Sequence, residues 1–457
     1  MPSGDMKMRQ QPYNVLDDGD VETSVEDVPT THCAGRPVQH RPPVSAQTVN
    51  FLDYRVARKL LHFIGKPPIQ IRLWDGGTVS SDVDEPIATI HFRDRMSLYL
   101  TLLRPELYWG DLYREGRVDV DGDLVKLLDV VYRGLQKGDA WRWLRWLNKT
   151  TGHRKIRNNL HRAADNIHHH YDISNDFYRL WLDKNALQYT CAYFPDPGLT
   201  LEDAQIAKMR HVCRKLQLKP GDEVVEAGCG WGGFALYMAK NHGVTVKAYN
   251  ISGEQIKYAR EKARADGLDD RVQYLHDDYR NITGKFDVFV SVGMLEHVGP
   301  KHYPVLGQVI DDCLKPEGRG LIHSIGRNRP RPMNEWIERR IFPGSYPPTL
   351  GEMMDVLETS QLAVLDVENL RLHYALTLEA WLKNFEQHAD RIEKMMDPQF
   401  VRCWRLYLAG SRAAFISGRL QLFQVLFTRE ENNEIAWSRA HQYTMHASCN
   451  TRHRLYH

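Results

Sequence analysis

Apolar residues recur with two different periods along the chain, and the change of period divides it. Over residues 69–81 the string IQIRLWDGGTVSS alternates apolar and polar positions on either side of Asp75-Gly76-Gly77. That pattern predicts a hairpin whose glycines supply the positive φ angles of a tight turn. ATIHFRD (88–94) predicts a further strand. MSLYLTLLRP (96–105) and DLVKLLDVVYRGL (123–135) repeat their apolar positions every three to four residues, as helices do. Together these predict a small α+β domain within residues 46–140. From about Leu201 strands and helices alternate: DEVVEAG (222–228), GGFALYMAKNHG (232–243), VTVKAYNIS (244–252) and GEQIKYAREKARADG (253–267). VQYLHDD (272–278), FDVFVSVG (286–293) and RGLIHSIG (319–326) continue the series as strands. Such a series predicts α/β structure: a parallel, doubly wound, Rossmann-like sheet with right-handed crossovers, in a domain spanning 165–430.

The remaining segments lack this periodicity. Residues 1–45 hold few large apolar side chains and a run of acids in LDDGDVETSVED, which predicts a disordered lead rather than a docked strand. Residues 431–457 form a C-terminal tail. Residues 141–164 are of another kind: WRWLRWLNKTTGHRKIRNNLHR carries seven Lys/Arg, no acid, and Trp141, Trp143 and Trp146. Cations interleaved with tryptophan suit an anionic membrane surface, each cation adding up to ~1 kcal/mol. The alternative is a solvated basic linker whose tryptophans pack on a neighbour.

Composition narrows the class. At 457 residues the chain is too long for one ordinary domain, and 42% hydrophobic with 26% charged residues is a globular composition. Collagen, coiled coil and a mainly disordered chain are excluded. No apolar window is long enough for a transmembrane helix, and the first residues lack the apolar core of a signal peptide. Sixty basic against 58 acidic residues give no reason to expect nucleic acid. Seven cysteines without a CxxC pair predict free thiols in a reducing compartment and no structural zinc. His168, His169 and His170 are consecutive and so diverge, and no metal is expected.

The strongest local chemistry is VVEAGCGWGG (224–233), which sets Gly228, Gly230 and Gly232 at a strand-to-helix turn behind Glu226. Glycines there let a ligand approach the backbone. The spacing lacks the G-x-G-x-x-G of dinucleotide enzymes, and the string resembles the first motif of S-adenosylmethionine (SAM) methyltransferases. In such enzymes an acid at the end of the second strand commonly holds the ribose. Here that place reads Tyr249-Asn250-Ile251-Ser252, followed by Gln255, so Asn250 and Gln255 would hydrogen-bond hydroxyls without charge. Asp277 or Asp278, ending the third strand, could accept from an adenine amino group; solvated surface acids are the alternative.

Six strings now combine: HHHYDISNDFYRLWLD (168–183), YTCAYF (189–194), YNISGEQIKYAR (249–260), SVGMLEHVGPKHY (291–303), LIHSIG (321–326) and LQLFQVLF (420–427). In this order the chain resembles the cyclopropane-fatty-acyl-phospholipid synthases, relatives of the mycolic acid cyclopropane synthases and methyltransferases, over roughly residues 85–430. The resemblance implies addition of the SAM methyl to a cis double bond of a phospholipid acyl chain. A carbocation would follow, and loss of a proton to bound bicarbonate would close the ring. It also implies an anion site made by Cys191, Glu296, His323, the Ile325 amide and Tyr374, with His323 protonated and Glu296 accepting the O–H of bicarbonate. Tyr171, Tyr189 and Thr190 would lie against SAM. Tyr178, Trp181, Tyr193 and Phe194 would line the acyl channel or face the cation, unless they are plain core. His297 is a competing base used by amine-methylating relatives. A homodimer, cytoplasmic and peripheral to the inner face of the membrane, is implied as well. One departure stands out: Ser411 occupies a position where many relatives carry a cysteine, and Cys403 is out of register. Direct transfer from sulfonium to alkene needs no thiol nucleophile. Two rivals remain: a related enzyme giving a methyl branch, a hydroxylated product or a methylated amine, and an inactive paralogue that binds lipid or SAM.

Overall fold

The chain's structure is a computed structural model that describes residues 47–81, 85–137 and 174–443. The segments 1–45 and 141–164, the end of the tail and Tyr171 lie outside the described residues.

Two sheets organise the rest. The first holds four short strands: β1 Gln70–Arg72, β2 Thr78–Ser80, β3 Ala88–Phe92 and β4 Val118–Gly122, in the order β2-β1-β3-β4. The hairpin forms with Ile71 opposite Val79. Its turn uses one positive φ, at Gly76 (93°), while Asp75 Oδ1 accepts the Gly77 N–H at 2.8 Å. Gly77 is required by space instead, since a Cβ there would sit 2.1 Å from the Tyr54 hydroxyl. Four helices cover this sheet: Phe51–Phe63, Arg95–Leu103, Pro105–Arg114 and Leu124–Lys137. The first begins with a reciprocal cap between Asn50 and Asp53. The second stops at Arg104 because Pro105 has no N–H to continue it, and the same proline opens the third. Leu60, Ile71, Phe92, Leu98, Val118 and Leu127 form the common core.

The second sheet has seven strands: β5 Glu223–Ala227, β6 Thr245–Asn250, β7 Val272–His276, β8 Phe286–Val292, β9 Leu314–Gly326, β10 Leu362–Asn369 and β11 Gln421–Arg429. The order is β10-β11-β9-β8-β5-β6-β7. Strands β5 to β9 pair in parallel as predicted, but the sheet is mixed. β11 runs antiparallel to both β9 and β10. It starts beside the end of β9, Gln421 facing Gly326, after helix Pro398–Ile416 has brought the chain back to that edge. Eight of its nine residues are buried, so it is an interior strand.

Strand order reverses around β5, with β6 on one side and β8 on the other. Ligands of such sheets bind outside the carboxyl ends at that reversal. The four-stranded layer is tied to the seven-stranded one by polar pairs, one of them buried. Arg402, on Pro398–Ile416, donates to the carbonyls of Tyr113 and Val118 and pairs with Asp119 at 2.8 Å. Arg104 pairs with Glu335, and Gly110 lets the Trp336 ring lie where a Cβ would be 2.6 Å away.

Candidate active site

At the carboxyl ends of β5, β6 and β8 lies a pocket of about 140 Å³. Tyr189, Thr190, Glu226, Gly228, Gly230, Asn250, Ile251, Gln255, Asp277 and Asp278 all line it. Gly228 (φ 84°) and Gly230 (φ 54°) carry the turn in the left-handed region, and a Cβ at Gly230 would meet open space, so there the backbone angle demands glycine. Gly232 differs from its prediction and is absent from the pocket wall. Its missing Cβ makes room for the Tyr274 ring, whose hydroxyl donates to the Gly232 carbonyl at 2.7 Å. Asn250 is spent within the protein, donating to Gln255 Oε1 (2.7 Å) and accepting from the Ile251 N–H (2.8 Å). That leaves Gln255 Nε2 buried without a partner. Asp278 is gripped by Arg280 at 2.7 and 3.0 Å, while exposed Asp277 accepts from Asn281 at 2.7 Å. Glu226 is 2% exposed, burial raises its carboxyl well above the usual range, and its Oε2 has no partner.

Within the segment 187–194, Tyr189 and Thr190 stand between this pocket and a second, larger one. Buried Asp183 fixes the segment's start, accepting the N–H groups of Ala186 (2.8 Å) and Gln188 (2.6 Å) around Leu187, a non-glycine residue at φ 47°. Fully buried Lys208 donates to Gln188 and to Thr190 Oγ1. Ala192 N–H donates to Thr377 and Phe194 N–H to His373, both at 3.0 Å, tying the segment to helix Arg371–Gln387.

The second cavity, about 300 Å³, is lined by Cys191, Glu296, His323, Ile325 and Tyr374 together. It shares Tyr189, Thr190, Gly293 and His297 with the first. Glu296 sits on a one-turn helix after β8, 6% exposed, and desolvation pushes its carboxyl up to about 7. Its Oε1 accepts the Ile325 N–H at 2.6 Å, so that amide already has a partner, where the sequence reading gave it to the anion. Glu296 Oε2 is buried without one. His323 differs from its predicted charge as well. Burial pushes it down to about 3, so the ring is neutral. Gln424 of β11 donates to its Nδ1 at 3.1 Å, which leaves the proton on Nε2, buried and unpartnered. Cys191 is fully buried, its thiol donates to the Ala192 carbonyl at 3.1 Å, and burial keeps it protonated. Tyr374 packs against Phe415 and Trp381. Burial pushes His297 down to about 4.

Four aromatics take their plainer reading. Tyr178 and Trp181 are fully buried among Phe177 and Trp404, and Tyr193 is stacked between His211 and His373. Neither these nor Phe194 lines either cavity. Sequence reasoning missed two features. Gln424 was detectable as a polar residue inside an apolar run. The other is the cavity's far wall, made by Leu60, Phe63, Ile64, Leu127, Leu128 and Val131 of the four-stranded layer. Their spacing reads only as amphipathic helix.

Matches to known proteins agree with this geometry. A family model described as mycolic acid cyclopropane synthetase matches residues 158–425, and one for a domain of unknown function matches 56–137. A probable fatty acid methyltransferase of Pseudomonas putida is 34% identical over 82% of this chain and 96% of its own length. The cyclopropane-fatty-acyl-phospholipid synthase of Escherichia coli is 41% identical over 59% of this chain and 69% of its own. A crystal structure of a mycolic acid cyclopropane synthase complexed with SAH and CTAB superposes with a TM-score of 0.56 at 27% identity, covering 58% of this chain and 98% of that one. Fold, glycine turn and matches together define a SAM-dependent methyltransferase acting on lipids. Within that class the chain belongs to the mycolic acid cyclopropane synthetase family.

The first pocket fits SAM by its own chemistry. The glycine turn admits a ligand, Gln255 Nε2 is a buried donor without a partner, and Glu226 Oε2 is a buried acceptor in the same state.

Proposed function

We propose that this protein adds the SAM methyl across the cis double bond of a phospholipid acyl chain and closes a cyclopropane ring. The observation that carries the reading is one mostly apolar cavity. It abuts the cofactor pocket and holds two orphaned buried polar atoms, Glu296 Oε2 and His323 Nε2–H. An amine acceptor has no need of so apolar a wall.

When bound, SAM would supply an electrophilic methyl group. Tyr189 and Thr190, common to both cavities, would hold it against the alkene, and the apolar wall would keep water from the cation. Ring closure takes a proton from the new methyl. Bicarbonate held between Glu296, His323, Cys191 and Tyr374 would supply the base. In this proposal His323 donates through neutral Nε2–H and Glu296 accepts through Oε2, while the Ile325 amide fixes Glu296 Oε1. Peripheral contact with an anionic membrane through residues 141–164, at a cytoplasmic face, and a homodimer belong to the same proposal.

Purified protein with SAM tests the acceptor. SAH should form with a cis-unsaturated phospholipid and not with its saturated counterpart. SAH release with an amine and none with the olefin would replace this reading by the amine methyltransferase.

A further inference from the structure

Lys208 is a buried charge that the proposed chemistry leaves without a task. It lies on helix Leu201–Lys215 and is fully buried. Desolvation pushes its ammonium down to about 8, against the upward pull of Asp183, Cys191, Glu226 and Cys213. The Phe234 ring lies 5.9 Å from Nζ. A buried charge is weak evidence for stability, since well-packed apolar residues often serve as well. Its hydrogen bonds show what it holds instead.

Nζ donates to Gln188 Oε1 and, at 3.1 Å, to Thr190 Oγ1. Gln205 stands three residues earlier, on the same side of the helix. Its Nε2 donates to the carbonyl of Thr190 at 2.9 Å and to that of Gln188 at 3.4 Å. The Thr190 methyl packs against Gly293, where a Cβ would come within 2.9 Å of it. Hydroxyl, carbonyl and methyl of one residue are therefore each held. That residue lines both the cofactor pocket and the apolar cavity. An ammonium can only donate, so Thr190 Oγ1 accepts from it and keeps its own proton for another partner. An apolar side chain at position 208 would leave the hydroxyl without that anchor.

We propose that Lys208 is a positioning residue for methyl transfer: it fixes Thr190 at the junction of the two cavities and so aligns the SAM methyl with the acyl double bond. This rests on the lipid reading above. Lys208 touches neither reactant and acts through Thr190, with Gln205 holding the backbone of the same residue. Displacement of a reacting group by about 1 Å costs on the order of 100-fold in rate, so a loose Thr190 should be felt in the transfer step.

The test is a double-mutant cycle on the single-turnover rate of SAH formation, using the full chain, SAM and dioleoyl phosphatidylglycerol in nonionic detergent micelles. Lys208→Met and Thr190→Val should each slow transfer on the order of 100-fold. The double variant should match the slower single variant within about twofold, because both remove one interaction. SAM affinity of Lys208→Met, measured by calorimetry, should stay within about threefold of the wild type. Thr190→Ser, which keeps the acceptor, should retain most of the rate. Losses that multiply in the double variant would overturn the proposal, since a merely structural lysine acts independently of Thr190. A loss of SAM affinity equal to the loss of rate would overturn it in favour of a cofactor-binding role. If Lys208→Met does not fold, Thr190→Val decides alone, and a wild-type rate from it would overturn the proposal. SAM binding by the wild type without turnover of the lipid would sink the underlying reading and the alignment role with it.

Discussion

At the scale of the residue, burial sets the chemistry. Glu296 must be ionised to accept through both oxygens, and desolvation has pushed it up to about 7. Its ionised fraction therefore falls as pH drops through 7, where an ordinary carboxylate would stay charged. Turnover should fall about tenfold per pH unit below 7; a profile flat to pH 5 would remove Glu296 from the rate. His323 works neutral, oriented by Gln424. Gln424→Leu should lower kcat about 100-fold by loosening the ring while leaving SAM affinity unchanged, as single-turnover kinetics would show. The placement of the candidate residues was legible because the motif strings stand intact: the glycine turn is dictated by local φ, and Cys191, Glu296, His323 and Tyr374 do reach one cavity. Their protonation was not legible. His323 loses its charge to strands and helices far away in sequence, and Ile325 gives its amide to Glu296 only because β8 and β9 are neighbours.

At the scale of the element, prediction succeeded where period and punctuation agree. Strands β5 to β9 were read from their apolar runs, and so were two of the helices between them, Gly233–His242 and Gly253–Ala265, whereas the helix Tyr303–Cys313 was not read. The antiparallel pairing of β11 was not legible, since LQLFQVLF has the same composition as a parallel core strand. The helix Leu124–Lys137 shows the same limit more sharply. Its spacing reveals an apolar face, but tertiary packing turns part of that face toward the cavity holding Glu296. If the acyl chain lies there, Val131→Phe should shift selectivity from oleoyl toward palmitoleoyl chains. Gas chromatography of products from the mixed substrate would read the shift; an unchanged product ratio would place the chain elsewhere.

At the scale of the whole molecule, one layer completes the cavity of the other, so their union is part of the site. Arg402 is the buried tie, held by two carbonyls and Asp119. Removing Arg402 would break three buried hydrogen bonds and leave the Tyr113 and Val118 carbonyls without that donor, while Asp119 keeps its pair with Arg93 at 2.8 Å; each orphaned buried group costs about 1–3 kcal/mol. Arg402→Ala should therefore lower the melting temperature by several degrees and weaken lipid turnover together; calorimetry showing an unchanged transition would mean that the layers stand independently. Among the described residues no helix is long and apolar enough to cross a membrane.

The central claim is ring closure at Glu296. Its most direct test is mass spectrometry of the fatty acid esters of a host lacking its own synthase, expressing either this chain or Glu296→Gln, with derivatisation to locate double bonds. The account predicts a gain of one CH₂ with loss of the double bond in the wild type, and in the variant a product yield lower by about 100-fold or more. The same gain with the olefin retained, or a gain of CH₄ as a saturated methyl branch, would contradict ring closure. Undiminished cyclopropane from Glu296→Gln would contradict the site.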